Sequence, residues 1–236
     1  MELTDLHCHI VPYVDDGAYT MEEAAVLLRM EAEQGVRTIC LTPHLRAGMF
    51  ESSDEKILDQ FEKLCAFVEK ENLPLTLFHS REYHFDRLFR KRLEEGNVRP
   101  LGKKNYLLVE FGGRHSAQDM LSAVELVKAA GFHPLIAHVE RYAPIAQDLN
   151  LASRLVEAGA CLQINAGSVL GREGMKQKHL CAKLMKLDLV TAVGSDAHDI
   201  KIRRPELDAC AAYLEKKIGR DYASRVLCSN PHDILI

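Results

Sequence analysis

Imidazoles and carboxylates recur immediately after short apolar runs all along this chain. His7 and His9 follow the run at residues 3–6, His44 follows 36–41, and Glu82 follows 75–78. Glu110 lies in the run at 106–111, His138 follows 133–137, Asn165 follows 161–164, and Asp196 and His198 follow 189–193. Asp15 and Asp16 come shortly after the first run. Residues two apart in extended chain face the same side, so the His7 and His9 rings share a face, and Asp196 and His198 repeat that geometry. Imidazoles with hard carboxylates and no thiolate suit Mn, Fe, Zn or Co rather than a cysteine-rich structural zinc. The groups outnumber the coordination sites of one ion, which predicts two or three divalent metals with a bridging carboxylate such as Glu110 or Asp16. Clustered metals acidify water and clamp phosphoryl oxygens, so the expected chemistry is phosphoester hydrolysis.

Those groups need elements to carry them. Thr20-Met21-Glu22-Glu23 reads as a capping box, Ala24, Leu27, Leu28 and Ala32 continue it at helical spacing, and Gly35 ends it. Further helices are predicted around 57–68, 88–89, 117–130, 148–158 and 205–218. Seven apolar runs alternating with helices imply a parallel sheet, since parallel neighbours need crossover connections. A closed or nearly closed β/α barrel follows, with the site at the C-terminal ends of its strands.

The 236 residues suit one domain spanning 1–236, and 47% hydrophobic with 27% charged residues is ordinary for a globular chain. A formal charge of −4 gives no general attraction to nucleic acid or anionic membrane, so a phosphorylated partner needs local cations. No secretory signal or membrane-length apolar run is visible, and seven scattered cysteines without a C-x-x-C suit reduced thiols in a cytoplasm. The sequence is silent on oligomeric state, although surface helices leave room for self-association.

The segments D-L-H-C-H-I-V-P-Y-V-D-D-G (5–17), L-T-P-H (41–44), L-V-E-F (108–111), I-A-H-V-E-R-Y (136–142) and G-S-D-A-H (194–198) resemble the PHP superfamily. More narrowly, they resemble its bacterial capsular-polysaccharide protein-tyrosine phosphatases. The resemblance implies a distorted (β/α)7-type barrel that hydrolyses phosphotyrosine, typically on a tyrosine autokinase controlling polysaccharide export. It implies manganese as the favoured metal, held by His7, His9, Asp16, His44, Glu82, Glu110, His138, Asp196 and His198. Arg141 and a second arginine, Arg203 or its neighbour Arg204, would hold the phosphate, with His44 or His198 available as an acid. Two departures stand out. Val139 replaces a common proline, and Arg81 replaces a small residue before Glu82, where it would narrow the pocket or touch phosphate.

Competing motifs are weaker. Cys40-Leu-Thr-Pro-His-Leu-Arg46 matches C-x5-R, the pattern of cysteine-dependent phosphatases, but its cysteine lies inside an apolar run and no glycine shapes a phosphate loop. Cys8, between two candidate ligands, points to the opposite side and reads as packing. Gly112-Gly113 reads as a plain loop rather than an anion nest. His79, His84, His115, His133, His179 and His232 lack the strand-end context and read as surface or core residues. Two alternative functions remain: a histidinol-phosphate phosphatase, whose cationic substrate would call for an acidic pocket, and a non-catalytic metal-binding regulatory module.

Overall fold

The computed structural model describes residues 1–236, and its named strands pair in parallel throughout. They are β1 (Leu3–Cys8), β2 (Val36–Leu41), β3 (His44–Leu45), β4 (Thr76–His79), β5 (Glu82–His84), β6 (Tyr106–Glu110), β7 (His133–Ile136), β8 (Cys161–Asn165) and β9 (Ala192–Gly194). One sheet runs β1-β2-β4 and the other β3-β5-β6-β7-β8-β9. The two are halves of one curled surface. Leu41 faces His79 and His44 faces Glu82, the same register on both sides of the break, so β3 and β5 continue β2 and β4. Pro43, which has no N–H to donate, lies in that break, yet its carbonyl still accepts from Glu82 N at 3.1 Å. At the far edge, Asp196 N donates to His7 O and His9 N to Ala197 O, each at 2.8 Å, tying the end of β9 back to β1. Seven staves therefore form the distorted barrel expected from the alternating pattern.

The crossovers are helical: α1 (Met21–Glu33), α2 (Asp54–Lys70), α3 (Arg87–Glu94), α4 (Ala117–Ala129), α5 (Ala143–Gln147), α6 (Asn150–Glu157), α7 (Ala166–Leu170), α8 (Met175–Lys186), α9 (Leu207–Lys217), α10 (Arg220–Ser224) and α11 (Asn230–Leu235). Side chains of Thr20, Ser53, Asp86 and Ser116 cap the first four, accepting from the otherwise unpaired first-turn amides. In α1 the reciprocal bond differs from a strict capping box, since Glu23 accepts from Tyr19 N rather than from the cap itself. Five helices, α5, α7, α8, α10 and α11, have no counterpart among the expected elements. α8 buries Leu180, Cys181, Leu184 and Met185, but lysines interrupt the stripe and its N-cap is Gly174, with no side-chain cap bond. Asn230-Pro231 resembles a breaker, yet Pro231 sits in the first turn of α11, where its missing N–H costs nothing. No helix is long and apolar enough to cross a membrane.

The main apolar core lies between strands and helices. A smaller cluster draws Leu6, Cys40, Leu108, Leu135 and Ala192 from strands around the ring and fills the barrel lumen, where Ile234 and Leu235 of α11 join it. β1 is bulged. Asp5 pairs with Ile39 and Cys8 with Leu41, three steps against two, which lets Leu6 enter the lumen cluster while Cys8 packs in the outer core. The loop after β1 then folds tightly over His9. Ala18 N donates to His9 O at 2.9 Å, and a Cβ on Gly17 would lie 2.0 Å from that oxygen. Gly17→Ala should therefore cost about 1–3 kcal/mol, as overpacking does, read as a lower urea midpoint at unchanged slope.

Candidate metal centre

All nine candidate ligands meet at the C-terminal mouth of the barrel, each delivered by the local structure just described. β1 supplies His7, the chain just beyond it His9 and Asp16, β3 His44, β5 Glu82 and β6 Glu110. His138 and Asp196 lie two residues beyond β7 and β9, both with positive φ (31° and 51°), a turn that non-glycine residues adopt only when their surroundings hold them there.

The atoms converge in three overlapping groups: His9, Asp16, His44 and His198; His7, His9 and Glu82; and His44, Glu82 and Glu110. His7 Nε2 and His9 Nε2 are 3.3 Å apart, each 3.2 Å from Glu82 Oε2 and 3.5 and 3.4 Å from Asp196 Oδ1. His44 Nδ1 lies 3.0 Å from Glu82 Oε2 and 3.6 Å from Glu110 Oε1, while its Nε2 lies 3.5 Å from Asp16 Oδ1. His198 Nε2 is 3.7 Å from that same Asp16 oxygen, and His138 Nε2 is 2.8 Å from Glu82 Oε1. Atoms bound about 2.1 Å from one ion sit roughly 3.0–3.4 Å from each other, close to the spacing seen here.

Most rings are aimed from behind. His7 Nδ1 donates to Gln163 Oε1 at 3.0 Å, His9 Nδ1 to Asp15 Oδ2 at 2.8 Å and His198 Nδ1 to Asp196 O at 2.9 Å. His138 Nδ1 lies 3.2 Å from the Tyr142 hydroxyl. Partners on Nδ1 fix the tautomer that turns an Nε2 lone pair inward, as metal-ligating histidines require. Gln163 also accepts from His138 N at 2.8 Å, so one amide sets two ligands.

Among the buried side-chain polar atoms without a hydrogen-bond partner, three face the cluster: His44 Nδ1, Glu82 Oε2 and His198 Nε2. Buried polar atoms without partners are rare, and three at one point fit divalent cations. Charge says the same. Burial raises the Glu82 carboxyl, but His7, His44 and His138 outweigh it and hold it well below the carboxylate range. Burial alone would lower the His7 and His9 imidazoles, yet Glu82 and Asp196 beside His7, and Asp15 beside His9, raise both. Burial, with His9 next to it, pushes His198 well down. The carboxylates stay charged and draw protons onto nearby rings, a role that metal ions take over when bound.

Two arginines border the cluster. Arg141 Nη1 and Arg203 Nη2 both reach Asp196 Oδ2 at 2.8 Å, and Asn165 Nδ2 donates to the same oxygen at 2.7 Å. Asp196 thus gives one oxygen to the histidines and the other to the arginines. Arg204 instead turns away to Glu206, so of the two neighbours it is Arg203 that faces the cluster.

Several expectations change. Arg81 does not line the pocket: it is 2% exposed and lies under the loop after β3, where it holds His44 O and Ser52 O and pairs with Asp54. Glu82 is the most central carboxylate, with His7, His9, His44 and His138 all within 3.2 Å of its oxygens. His84 and His115 belong to the site rather than to background core or surface. His84 Nδ1 holds Glu110 Oε1 at 3.0 Å, and His115 lines the mouth and accepts from Gly112 N at 2.9 Å, so that amide is not free for an anion. No local sequence signal marks Gln163, Tyr142 or His84. Cys40 sits in the lumen cluster with its thiol pushed up to about 12 by burial, which leaves no thiolate for a cysteine mechanism.

Residues 3–236 match the family described as capsular polysaccharide synthesis, CpsB/CapC. The chain is 30% identical over 239 residues to the tyrosine-protein phosphatase CpsB of Streptococcus pneumoniae, covering 99% of this chain and 98% of that one. It is 31% identical over 219 residues to the tyrosine-protein phosphatase YwqE of Bacillus subtilis, covering 93% and 86% respectively. A crystal structure from work on YwqE and CpsB, described as metal-dependent tyrosine phosphatases, superposes with a TM-score of 0.91 at 30% identity, covering 99% of this chain and 94% of that one.

Because the ion-free His7 and His9 hold protons above the ordinary imidazole range, metal must displace those protons. Affinity should rise as pH rises and fall as pH drops through neutrality. Calorimetric Mn(II) titrations in two buffers of different ionisation enthalpy should show net proton release at pH 6.5–7. Metal binding with no proton release would contradict this reading.

Proposed function

The chain belongs to the CpsB/CapC family of capsular polysaccharide synthesis, and on that premise we propose that it is a metal-dependent protein-tyrosine phosphatase working at the histidine–carboxylate cluster. The observation that carries the reading is the pairing of that cluster with two arginines on one carboxylate at its edge. In this reading His7, His9, Asp16, His44, Glu82, Glu110, His138, Asp196 and His198 hold two or three divalent ions, manganese favoured. Such ions supply Lewis acidity, drawing charge off phosphoryl oxygens and acidifying an attacking water.

The protein's own groups do the rest. Arg141 and Arg203 sit where guanidinium donors can meet the equatorial phosphoryl oxygens and hold the ester in line. Asp196 anchors both arginines to the ligand set, so the phosphate clamp and the metal donors keep one geometry. His198, held neutral by its burial, acts as a ligand rather than as the acid. A phenolate leaves with little help, which leaves His44, the most exposed of the cluster's histidines, to assist. Phe50, Phe111, Tyr142 and Pro144 form an apolar wall beside the cluster, suited to an aromatic ester.

A histidinol-phosphate substrate carries a cationic amine, yet the charged side chains at the mouth beyond the cluster are arginines: Arg46, Arg141 and Arg203. A purely regulatory module would not need the arginine clamp. The reading extends to a tyrosine autokinase of polysaccharide export as substrate, in the cytoplasm, where the seven free cysteines would stay reduced.

The decisive comparison is turnover of phosphotyrosine peptide, phosphoserine peptide and histidinol phosphate after reconstitution with Mn, Fe, Zn or Co. Phosphotyrosine should lead; preference for histidinol phosphate would overturn the substrate assignment. Asp16→Ala and His138→Ala should each lower kcat at least about 100-fold, and Arg141→Ala should raise KM as well as lower kcat. Exhaustive chelation should abolish turnover. Iodoacetamide at neutral pH, and Cys40→Ser, should leave it largely intact, whereas His44→Ala should not.

A further inference from the structure

β3 leads into a hairpin at the pocket mouth. Arg46 N donates to Phe50 O and Phe50 N to Arg46 O, each at 2.9 Å. The hairpin is held firmly from outside: Ala47 N donates to Asp86 Oδ2 at 2.8 Å, and buried Arg81 grips His44 O and Ser52 O on either side of it. From within, the Phe50 ring stacks on His44, centroids 5.2 Å apart and planes 12° apart. Arg46, Met49 and Phe50 all line the pocket, and Met49 remains 58% exposed.

The three arginines of this pocket differ in one respect. Arg141 is engaged by Glu173 and Asp196, and Arg203 by Asp196. Arg46 is half-buried, yet its guanidinium makes no hydrogen bond or ion pair within the protein, although Asp16 and Glu110 line the same pocket. A cation partly stripped of water and left unpaired is stabilised by an anion arriving from outside. The strand order gives the direction. The staves run β1, β2/β3, β4/β5, β6, β7, β8, β9 and back to β1, so the stave bearing Arg46 lies across the mouth from the β7 end that bears Arg141. Arg46 thus enters the mouth from the side opposite Arg141, where the residues flanking a phosphotyrosine held by Arg141 and Arg203 would pass.

We propose that Arg46 is a specificity-determining residue, pairing with a carboxylate side chain next to the phosphotyrosine so that the enzyme favours acidic segments. The proposal rests on the phosphotyrosine reading above. Met49 and Phe50, on the same hairpin, provide the apolar surface along which the substrate ring reaches the floor.

The test compares two phosphotyrosine peptides that differ only in having glutamates or glutamines beside the phosphotyrosine. The wild-type enzyme, loaded with Mn, should favour the glutamate peptide about fivefold in kcat/KM at low salt, with the difference in KM. Raising NaCl from about 0.05 to about 0.5 M should shrink that preference. Arg46→Gln should bring the ratio to about one, and Arg46→Lys should restore part of it. Equal wild-type use of both peptides would overturn the proposal even if the variant failed to fold. So would an Arg46→Gln enzyme that kept the preference, or one that lost both peptides in equal proportion. A wild-type enzyme that hydrolysed neither peptide but turned over histidinol phosphate would instead sink the phosphotyrosine reading itself.

Discussion

Everything at the mouth of this barrel answers to one electrostatic constraint: Glu82 and Asp196 are almost completely buried and remain anionic. A buried carboxylate survives only among compensating positive charges or strong donors. Here four imidazoles lie within 3.5 Å of Glu82 or Asp196 oxygens, and two arginines hold the remaining side of Asp196. The spacing of those imidazoles, the inward-facing atoms left without partners, and the partners on the outer ring nitrogens all follow from building such a centre. The phosphate clamp is part of the same balance, because the oxygen that holds it belongs to a carboxylate whose other oxygen faces the histidines.

The fold serves this constraint by interruption as much as by regularity. β1 bulges, β2 and β4 break after Leu41 and His79, and residues with positive φ follow β7 and β9. An unbroken strand would carry alternate residues past the mouth. These irregularities stop the chain at the rim and turn the ligands inward. They are local departures from ideal geometry, stabilised by the two apolar cores beneath and around the strands. The break before His44 has a second consequence, since the Arg46–Phe50 hairpin grows directly from the short segment β3. A ligand-bearing stave and a substrate-facing loop are thus one continuous structure.

Packing around the centre separates groups that look alike in isolation. Arg81 and Arg46 are both partly or fully buried arginines near His44, but Arg81 is turned outward to brace backbone and Arg46 inward to the pocket. Asp15 and Asp16 are adjacent, yet Asp15 is buried against His9 while the Asp16 side chain is 52% exposed at the rim. Cys8 lies between two candidate ligands and Cys40 begins a phosphatase-like spacing, and both are simply core.

Residue type and spacing alone determined the parallel β/α architecture, the placement of candidate ligands at strand ends and the expectation of more than one metal. These are local properties: alternation, helical periodicity and pairs two residues apart repeat within a few positions and need no knowledge of what packs against them. Helices α5, α7 and α10 escaped because five residues are too few to show a period, and α8 and α11 because lysines, a glycine cap and an Asn-Pro step hide theirs, while burial against the barrel overrides weak local preference. The residues that aim the ligands escaped for a different reason. Gln163 is 156 positions from His7 and His84 is 26 from Glu110, and nothing in either neighbourhood marks a partnership made only when the sheet curls. The same curling decided that Arg203 rather than Arg204 faces the cluster, and that Arg81 leaves the pocket to Arg46. Direction across a closed barrel is a property of the whole ring, so chemistry could be read from the chain, but the aim of each side chain was set by tertiary structure.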